Sequence, residues 1–237
     1  MSERLDSTVF RSEDWQQSQG EGVLEVRGNK SEIALFVNGA PLIYDAHDGG
    51  GSVGRLVTFL PGSKRLEAAN FIAQAASSGF ADAAPLHQQI APLFQLLPDG
   101  QYQLRLEQVP PGYGSPVLSD YDLGPNWKEG EQIDTIWYYP EYGQNVWQPV
   151  LLWTQPESSL EDDTINKYLS LIERGERPAL ITIGAKGHAA RFVLDGHHKL
   201  FACWCCGVKP HTLHIEFQFL VPIPWKLAND LVGDVPD

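Results

Sequence analysis

Residues 179–200 have the sequence ALITIGAKGHAARFVLDGHHKL and largely determine the fold that we predict for the last third of the chain. The apolar run at 179–183 predicts a buried strand, and the run RFVL at 191–194 predicts a second strand after a tight turn. Gly196 allows the backbone to turn sharply, and a short helix is expected from there to about Cys206. The stretch therefore predicts a hairpin that leads directly into a helix.

The segments on either side extend this pattern. Residues 146–153 predict a strand, and Ser158 or Ser159 is placed to cap a following helix. Residues 213–219 alternate apolar and polar side chains, which predicts a strand with one buried face. The predicted order is strand, helix, hairpin, helix, strand, and it makes residues 146–237 one mixed α/β module.

The N-terminal half has a different character. Residues 1–20 are polar and lack periodicity, so we predict a flexible arm there. Residues 21–109 contain apolar runs that predict a β-rich α+β region, with a helix at about 64–77. The pair Asn38-Gly39 lies between two apolar runs and predicts a hairpin, because both turn positions favour positive φ.

Residues 110–145 are rich in proline, glycine and aromatic side chains and are net acidic. We predict an acidic, aromatic connecting segment whose large rings are buried and hold it in place. The alternative is an exposed aromatic surface that binds a partner, since exposed aromatic side chains mark interfaces.

The composition limits the cellular compartments in which we expect the protein. No apolar run approaches the ~20 residues that a membrane-spanning helix needs, and the first residues, MSERLDSTVF, lack the apolar centre of a secretory signal. Cys203, Cys205 and Cys206 lie too close together to form a disulfide framework. We therefore predict a cytoplasmic, bacterial-type protein with reduced thiols and no membrane partner.

The net charge of −13 argues against nucleic acid as a partner, because affinity for nucleic acid depends on lysine and arginine neutralising phosphates. The charge is uneven. Residues 1–158 hold 20 acidic and 9 basic side chains, whereas residues 159–237 hold 10 and 8. An acidic surface of this kind suits a basic protein partner or simply keeps the protein in solution.

The candidate site is the junction at 195–199. A helix that begins after Gly196 presents unpaired N–H groups and a partial positive charge, which together favour an anion. His197, His198 and Lys199 fall in its first turn as candidate phosphate contacts, although dipole effects alone disfavour cations there. Asp195 is the candidate acid, base or metal-orienting group. The alternative is a simple Asp-Gly turn in which Asp195 caps the helix.

From about residue 160 to 219 the chain resembles the ParB/sulfiredoxin-like superfamily. The resemblance rests on the turn at 175–178, the strand at 179–183 and VLDGHHKL at 193–200, which opens a helix. Members of that superfamily bind nucleotide phosphates at this junction. The Asp-Gly-His-His-basic form is similar to that of the ParB-like free-serine kinases. The resemblance implies that Asp195 and His197 or His198 lie beside a transferred phosphate.

The chain also departs from the superfamily. Sulfiredoxins have a catalytic cysteine where this chain has His197, so sulfinic-acid repair is not expected. The final basic residue is usually arginine, whereas Lys199 is a point charge without bidentate geometry. No basic helix-turn-helix region of the partitioning proteins is evident.

Two other motifs are rejected. The glycine-rich run at 49–54 is followed by Arg55 and Leu56, where a phosphate loop needs lysine and a hydroxyl residue. The cysteines at 203–206 do not have zinc-ligand spacing, so no metal site is predicted.

The sequence therefore predicts an α+β protein with a β-rich N-terminal half and a C-terminal ParB/sulfiredoxin-like module. The predicted function is binding of a phosphate-bearing small molecule or nucleotide, with or without phosphotransfer and Mg²⁺. The catalytic candidates are Asp195 and His197, and the phosphate-binding candidates are Gly196, His198 and Lys199. The alternative is a non-catalytic interaction protein, such as an immunity or inhibitor protein that faces a basic toxin.

Overall fold

A computed structural model provides the fold. It describes residues 8–28, 32–47, 54–59, 80, 84–109, 135–138, 150–154, 160–188, 190–218 and 220–224. The predicted helix at 64–77 and the glycine-rich run at 49–53 lie outside these residues. Of the aromatic segment at 110–145, only residues 135–138 are described.

Six strands in the described part of the chain form one mixed sheet, called here the large sheet. In spatial order they are β1 (Thr8–Gln17), β6 (Gly100–Gln108), β11 (His211–Phe217), β9 (Ala179–Ala185), β10 (Ala190–Asp195) and β8 (Val150–Leu152). Strand β9 runs parallel to β11 and antiparallel to β10, and β8 runs parallel to β10. The hairpin predicted from residues 179–200 is confirmed.

The large sheet crosses the boundary expected between the two halves of the chain. Strands β1 and β6 come from the N-terminal half, yet β6 pairs antiparallel with β11 along the whole of β11. Residues 146–237 therefore supply four of the six strands and share the sheet with residues 8–17 and 100–108.

Five further strands in the described residues form an antiparallel second sheet, called here the small sheet. In spatial order they are β2 (Leu24–Gly28), β3 (Glu32–Val37), β4 (Ala40–His47), β5 (Gly54–Phe59) and β7 (Thr135–Tyr138). Asn38 and Gly39 turn the chain between β3 and β4 with φ of 53° and 74°. The predicted Asn-Gly hairpin is confirmed.

Four helices lie in the described residues: α1 (Leu86–Gln89), α2 (Ala91–Gln95), α3 (Asp162–Glu173) and α4 (His197–Cys205). Helix α3 begins later than predicted, because Glu161 rather than Ser158 or Ser159 is its N-cap residue. Asp162 and Asp163 lie in its first turn, where negative charge is favourable to the helix dipole. Together with the sheets these helices make the protein α+β.

The main apolar core lies between the two sheets. Strands of the large sheet contribute alternate side chains such as Ile183, Phe192 and Ile215, and the small sheet contributes Ile33 and Leu35. Period-two alternation directs these side chains to one face of each strand. The opposite face of the large sheet is therefore the one that α3, α4 and the candidate site at 195–199 occupy.

The prediction of a flexible arm at residues 1–20 is wrong for the part that the structure describes. Residues 8–17 form edge strand β1, whose backbone pairs with β6. The Trp15 ring stacks on the His87 ring with centroids 3.9 Å apart and also packs against Phe94. Most of the other side chains of β1 are exposed at the edge of the sheet, which is where polar residues are favourable.

No helix among the described residues has the length and apolar character required to cross a membrane.

Candidate functional site

The turn between β10 and α4 requires glycine. Gly196 is the N-cap residue of α4 and has φ of 101°, a conformation that side chains disfavour. A Cβ atom at this position would also lie 2.7 Å from Cδ2 of Leu180, which is fully buried on β9. Glycine therefore allows the start of α4 to lie close against the large sheet.

Asp195 and Lys199 form an ion pair across the first turn of α4. The Lys199 Nζ atom donates to Asp195 Oδ2 at 2.7 Å and to the Ala179 carbonyl oxygen at 3.0 Å. Both side chains are largely buried. Asp195 is not the N-cap residue of α4, because Gly196 occupies that position. The two candidate groups thus bind each other and the start of β9.

His197 points into the protein rather than toward solvent. Its side chain is buried, and Nε2 accepts a hydrogen bond from the Thr154 backbone N–H at 3.1 Å. The Thr154 hydroxyl donates its single proton to the Val193 carbonyl oxygen at 2.6 Å, so it cannot also donate to Nε2. Nε2 is therefore unprotonated, and the neutral ring carries its proton on Nδ1. The ring also packs beside Trp153.

His198 links the beginnings of α3 and α4. Its Nε2 accepts a hydrogen bond at 3.0 Å from the backbone N–H of Glu161, the N-cap residue of α3. Partial burial lowers the pKa of His198, and the opposing charges of Glu161 and Asp195 only partly offset this effect. The neutral ring that results is the form able to accept the hydrogen bond, with its proton on Nδ1.

The first turn of α4 has backbone N–H groups that precede the hydrogen-bonded part of the helix. The N–H of Leu200 makes the first bond of the helix, to the Gly196 carbonyl oxygen at 2.8 Å. The N–H groups of His198 and Lys199 precede it, and the N-cap residue, Gly196, has no side chain that could bond to them. The structure therefore brings the five predicted residues together and gives the four side chains partners within the protein.

Three residues that position this site were not identified from sequence. Thr154, Glu161 and Ala179 each bond to a candidate residue that is 20 or more positions away. Such partners leave no local signal, since they depend on strand order and helix docking.

The cysteines of α4 are all free. Burial raises the pKa of Cys203 to about 11, with a further contribution from Cys206. The thiol of Cys203 is therefore protonated at neutral pH and is not a reactive nucleophile. Within the described ranges, no group of three histidine, cysteine, aspartate or glutamate side chains is arranged to hold a metal ion.

Comparisons of this chain with protein-family models, with curated proteins and with solved structures give no match.

Proposed function

We propose that this protein binds a phosphate-bearing small molecule or nucleotide at the first turn of α4. The observation that carries the proposal is the start of that helix, where the N-cap residue, Gly196, has no side chain and the preceding Asp195 binds Lys199. A helix N-terminus without a side-chain cap presents N–H donors and a partial positive charge, and phosphate oxygens satisfy both.

The side chains have secondary roles in this proposal. The backbone N–H groups of His198 and Lys199 contact the phosphate. His198 adds its Nδ1–H, because its Nε2 is engaged by Glu161. Lys199 supplies nearby positive charge, which Asp195 partly neutralises. Gly196 permits the close backbone approach.

The resemblance to the ParB/sulfiredoxin-like superfamily supports the same location. The order of β8, α3, the β9–β10 hairpin, α4 and β11 is the order that the resemblance implies. We accordingly propose a module of this type in the C-terminal third, completed by β6 and β1.

Binding is proposed without phosphotransfer. Transfer would require Asp195 or His197 to accept or hold a proton at the reacting group. Asp195 is bound to Lys199, and Nε2 of His197 is bound to a backbone N–H inside the protein. A ligand could recruit Asp195 only by displacing Lys199.

The proposal is tested by thermal unfolding with nucleoside diphosphates and triphosphates, with and without magnesium. A ligand that binds the folded state raises the melting temperature. The informative variant is His198→Glu, because a carboxylate in the first turn suits the helix dipole but repels phosphate. His198→Gln is its neutral counterpart, and Gln101→Glu, at an exposed position on β6, makes the same charge change elsewhere.

The expected result is a rise in melting temperature for the wild type and for Gln101→Glu, a smaller rise for His198→Gln and none for His198→Glu. If no nucleotide stabilises the wild type, or if His198→Glu responds like the wild type, the proposal is wrong.

A further inference from the structure

A group of charged and polar side chains lies on the face of the large sheet that is turned away from the main core. This charged cluster consists of Arg105 and Glu107 on β6, Thr212, His214 and Glu216 on β11, and Arg191 on β10. Strand register places them together. His214 lies opposite Arg105, and Thr212 lies opposite Glu107. Side chains two residues apart on a strand share a face, so the β6 and β11 members line one surface.

Two ion pairs hold the cluster. Arg191 extends over β9 and β11 to Glu107, and both side chains are less than a tenth exposed. Arg105 Nη2 donates to Glu216 Oε2 at 2.7 Å. Arg191 lies opposite Gly184, where a Cβ atom would lie 3.0 Å from Cε1 of the His214 ring, so glycine leaves room for that ring.

His214 occupies the middle of the cluster as a neutral ring. It is fully buried, with Nδ1 and the Thr182 hydroxyl oxygen 3.0 Å apart. Burial lowers its pKa well below the usual value, and the adjacent positive charges of Arg191 and Arg105 lower it further. The cluster therefore holds two guanidinium groups and two carboxylates, with a formal charge of zero.

Three polar atoms of the cluster have no hydrogen-bond partner among the residues that the structure describes. They are Nε of Arg105, Nε of Arg191 and the hydroxyl oxygen of Thr212, all shielded from solvent. A buried polar group without a partner costs about 1–3 kcal/mol, and more when the group is charged. Three such atoms within one network of charges are positions at which a further group can form hydrogen bonds.

We propose that the charged cluster binds a compact zwitterion of the α-amino-acid type. Its carboxylate accepts hydrogen bonds from the two guanidinium Nε–H groups and the Thr212 hydroxyl. Its ammonium group is met by the carboxylates of Glu107 and Glu216. Glu216 also accepts from Gln218 Nε2 at 3.1 Å, and both carboxylates keep lone pairs beyond those contacts. A ligand with no net charge is favoured, because the cluster is already neutral and a net buried charge is costly.

This site is separate from the phosphate site at α4. Leu180 lies between them, since it pairs with Thr212 on one side and is in contact range of the Gly196 position on the other. Failure of the nucleotide proposal would therefore leave this inference standing, and the converse also holds.

The test is thermal unfolding with a panel of free L-α-amino acids, and with the N-acetyl and amide derivatives of each. The N-acetyl derivative lacks the ammonium charge, and the amide derivative lacks the carboxylate charge. We expect at least one free amino acid to raise the melting temperature of the wild type and both of its derivatives to leave it unchanged. Equal stabilisation by a free amino acid and its N-acetyl derivative would contradict a zwitterion site.

Two variants assign the response to the cluster. Thr212→Val keeps the shape of the side chain and removes only the unpartnered hydroxyl, so this protein is expected to fold with an unchanged or higher melting temperature. Arg191→Gln removes one guanidinium group, and Arg174→Gln makes the same change at an exposed arginine on the surface. The amino-acid response should be reduced in Thr212→Val, absent in Arg191→Gln and retained in Arg174→Gln.

Two outcomes overturn the inference. One is the absence of a response to every free amino acid. The other is a full amino-acid response in Thr212→Val, together with a crystal structure in which only ordered water binds Nε of Arg105 and Nε of Arg191. A nucleotide response that persists in Thr212→Val would show that the two sites are independent.

Discussion

Arg191 on β10 forms an ion pair with Glu107 on β6, although β9 and β11 lie between their strands. The two residues are 84 positions apart in sequence, and both side chains are buried. The pair therefore joins the C-terminal hairpin to a strand from the N-terminal half, on the face of the large sheet opposite the main core. Its energetic role depends on burial, since neither charge can be solvated if the other is removed.

Loss of one partner of this pair should destabilise the protein strongly. Arg191→Met or Glu107→Leu alone leaves an uncompensated buried charge, which costs about 3–5 kcal/mol of unfolding free energy. The double variant replaces both charges by apolar groups and should recover most of that loss. Urea unfolding of the four proteins gives the coupling energy. Additive losses in the double variant would show that the charges do not depend on each other.

The neutral state of His214 should make stability fall in acid. Because burial lowers its folded pKa below the unfolded value, the unfolded chain binds a proton that the folded chain does not. This contribution is complete above the unfolded pKa, near 6.5, and is lost as the pH falls below it, by up to about 1.4 kcal/mol per pH unit.

Urea unfolding from about pH 7 to about pH 5 measures this effect. His214→Asn keeps a polar atom near the Nδ1 position but cannot be protonated, so its stability should fall less steeply over the same range. Equal slopes for the two proteins would show that His214 is not the group responsible.

Gly196→Ala should be more harmful than the same change at Gly187. Both glycines have positive φ, which alone costs an alanine about 1–2 kcal/mol. At Gly187, in the β9–β10 turn, nothing lies within 4 Å of a new Cβ. At Gly196 the new atom meets Leu180, so the loss in unfolding free energy should exceed that of the control. Equal losses would mean that Leu180 moves aside without cost.

The tautomer of His197 can be tested directly. Nε2 accepts from the Thr154 backbone N–H, so an NMR spectrum that correlates the imidazole nitrogens with the ring protons should show the proton on Nδ1. Thr154→Val removes the hydroxyl and keeps the N–H, so the tautomer should persist in that control. A proton on Nε2 in the wild type would contradict the hydrogen bond described here.

Local features were predictable because they depend on near neighbours. The Asn38-Gly39 turn, the hairpin of β9 and β10 and the helix after Gly196 each follow from residue types within a short window. Strand β1 was not predictable in this way, because its polar side chains carry no apolar alternation and its order comes from pairing with β6.

In the candidate site, too, the local arrangement was predictable and the long-range contacts were not. The sequence placed Asp195, Gly196, His197, His198 and Lys199 at one strand-to-helix junction, and the structure agrees. The directions in which the His197 and His198 side chains point depend on distant partners. Thr154 bonds to His197, and Glu161 bonds to His198. Strand β11 was expected to have one buried face, yet both of its faces are buried and the polar one bears His214 and Glu216.

The sequence by itself determined the Asn38-Gly39 turn, the β9–β10 hairpin and the helix after Gly196, because φ preferences and side-chain periodicity act over a few residues. Only the tertiary structure decided which strands share a sheet and which charges are buried. Those outcomes depend on contacts between residues far apart in the chain, whose free energy appears only when the sheet and its helices assemble.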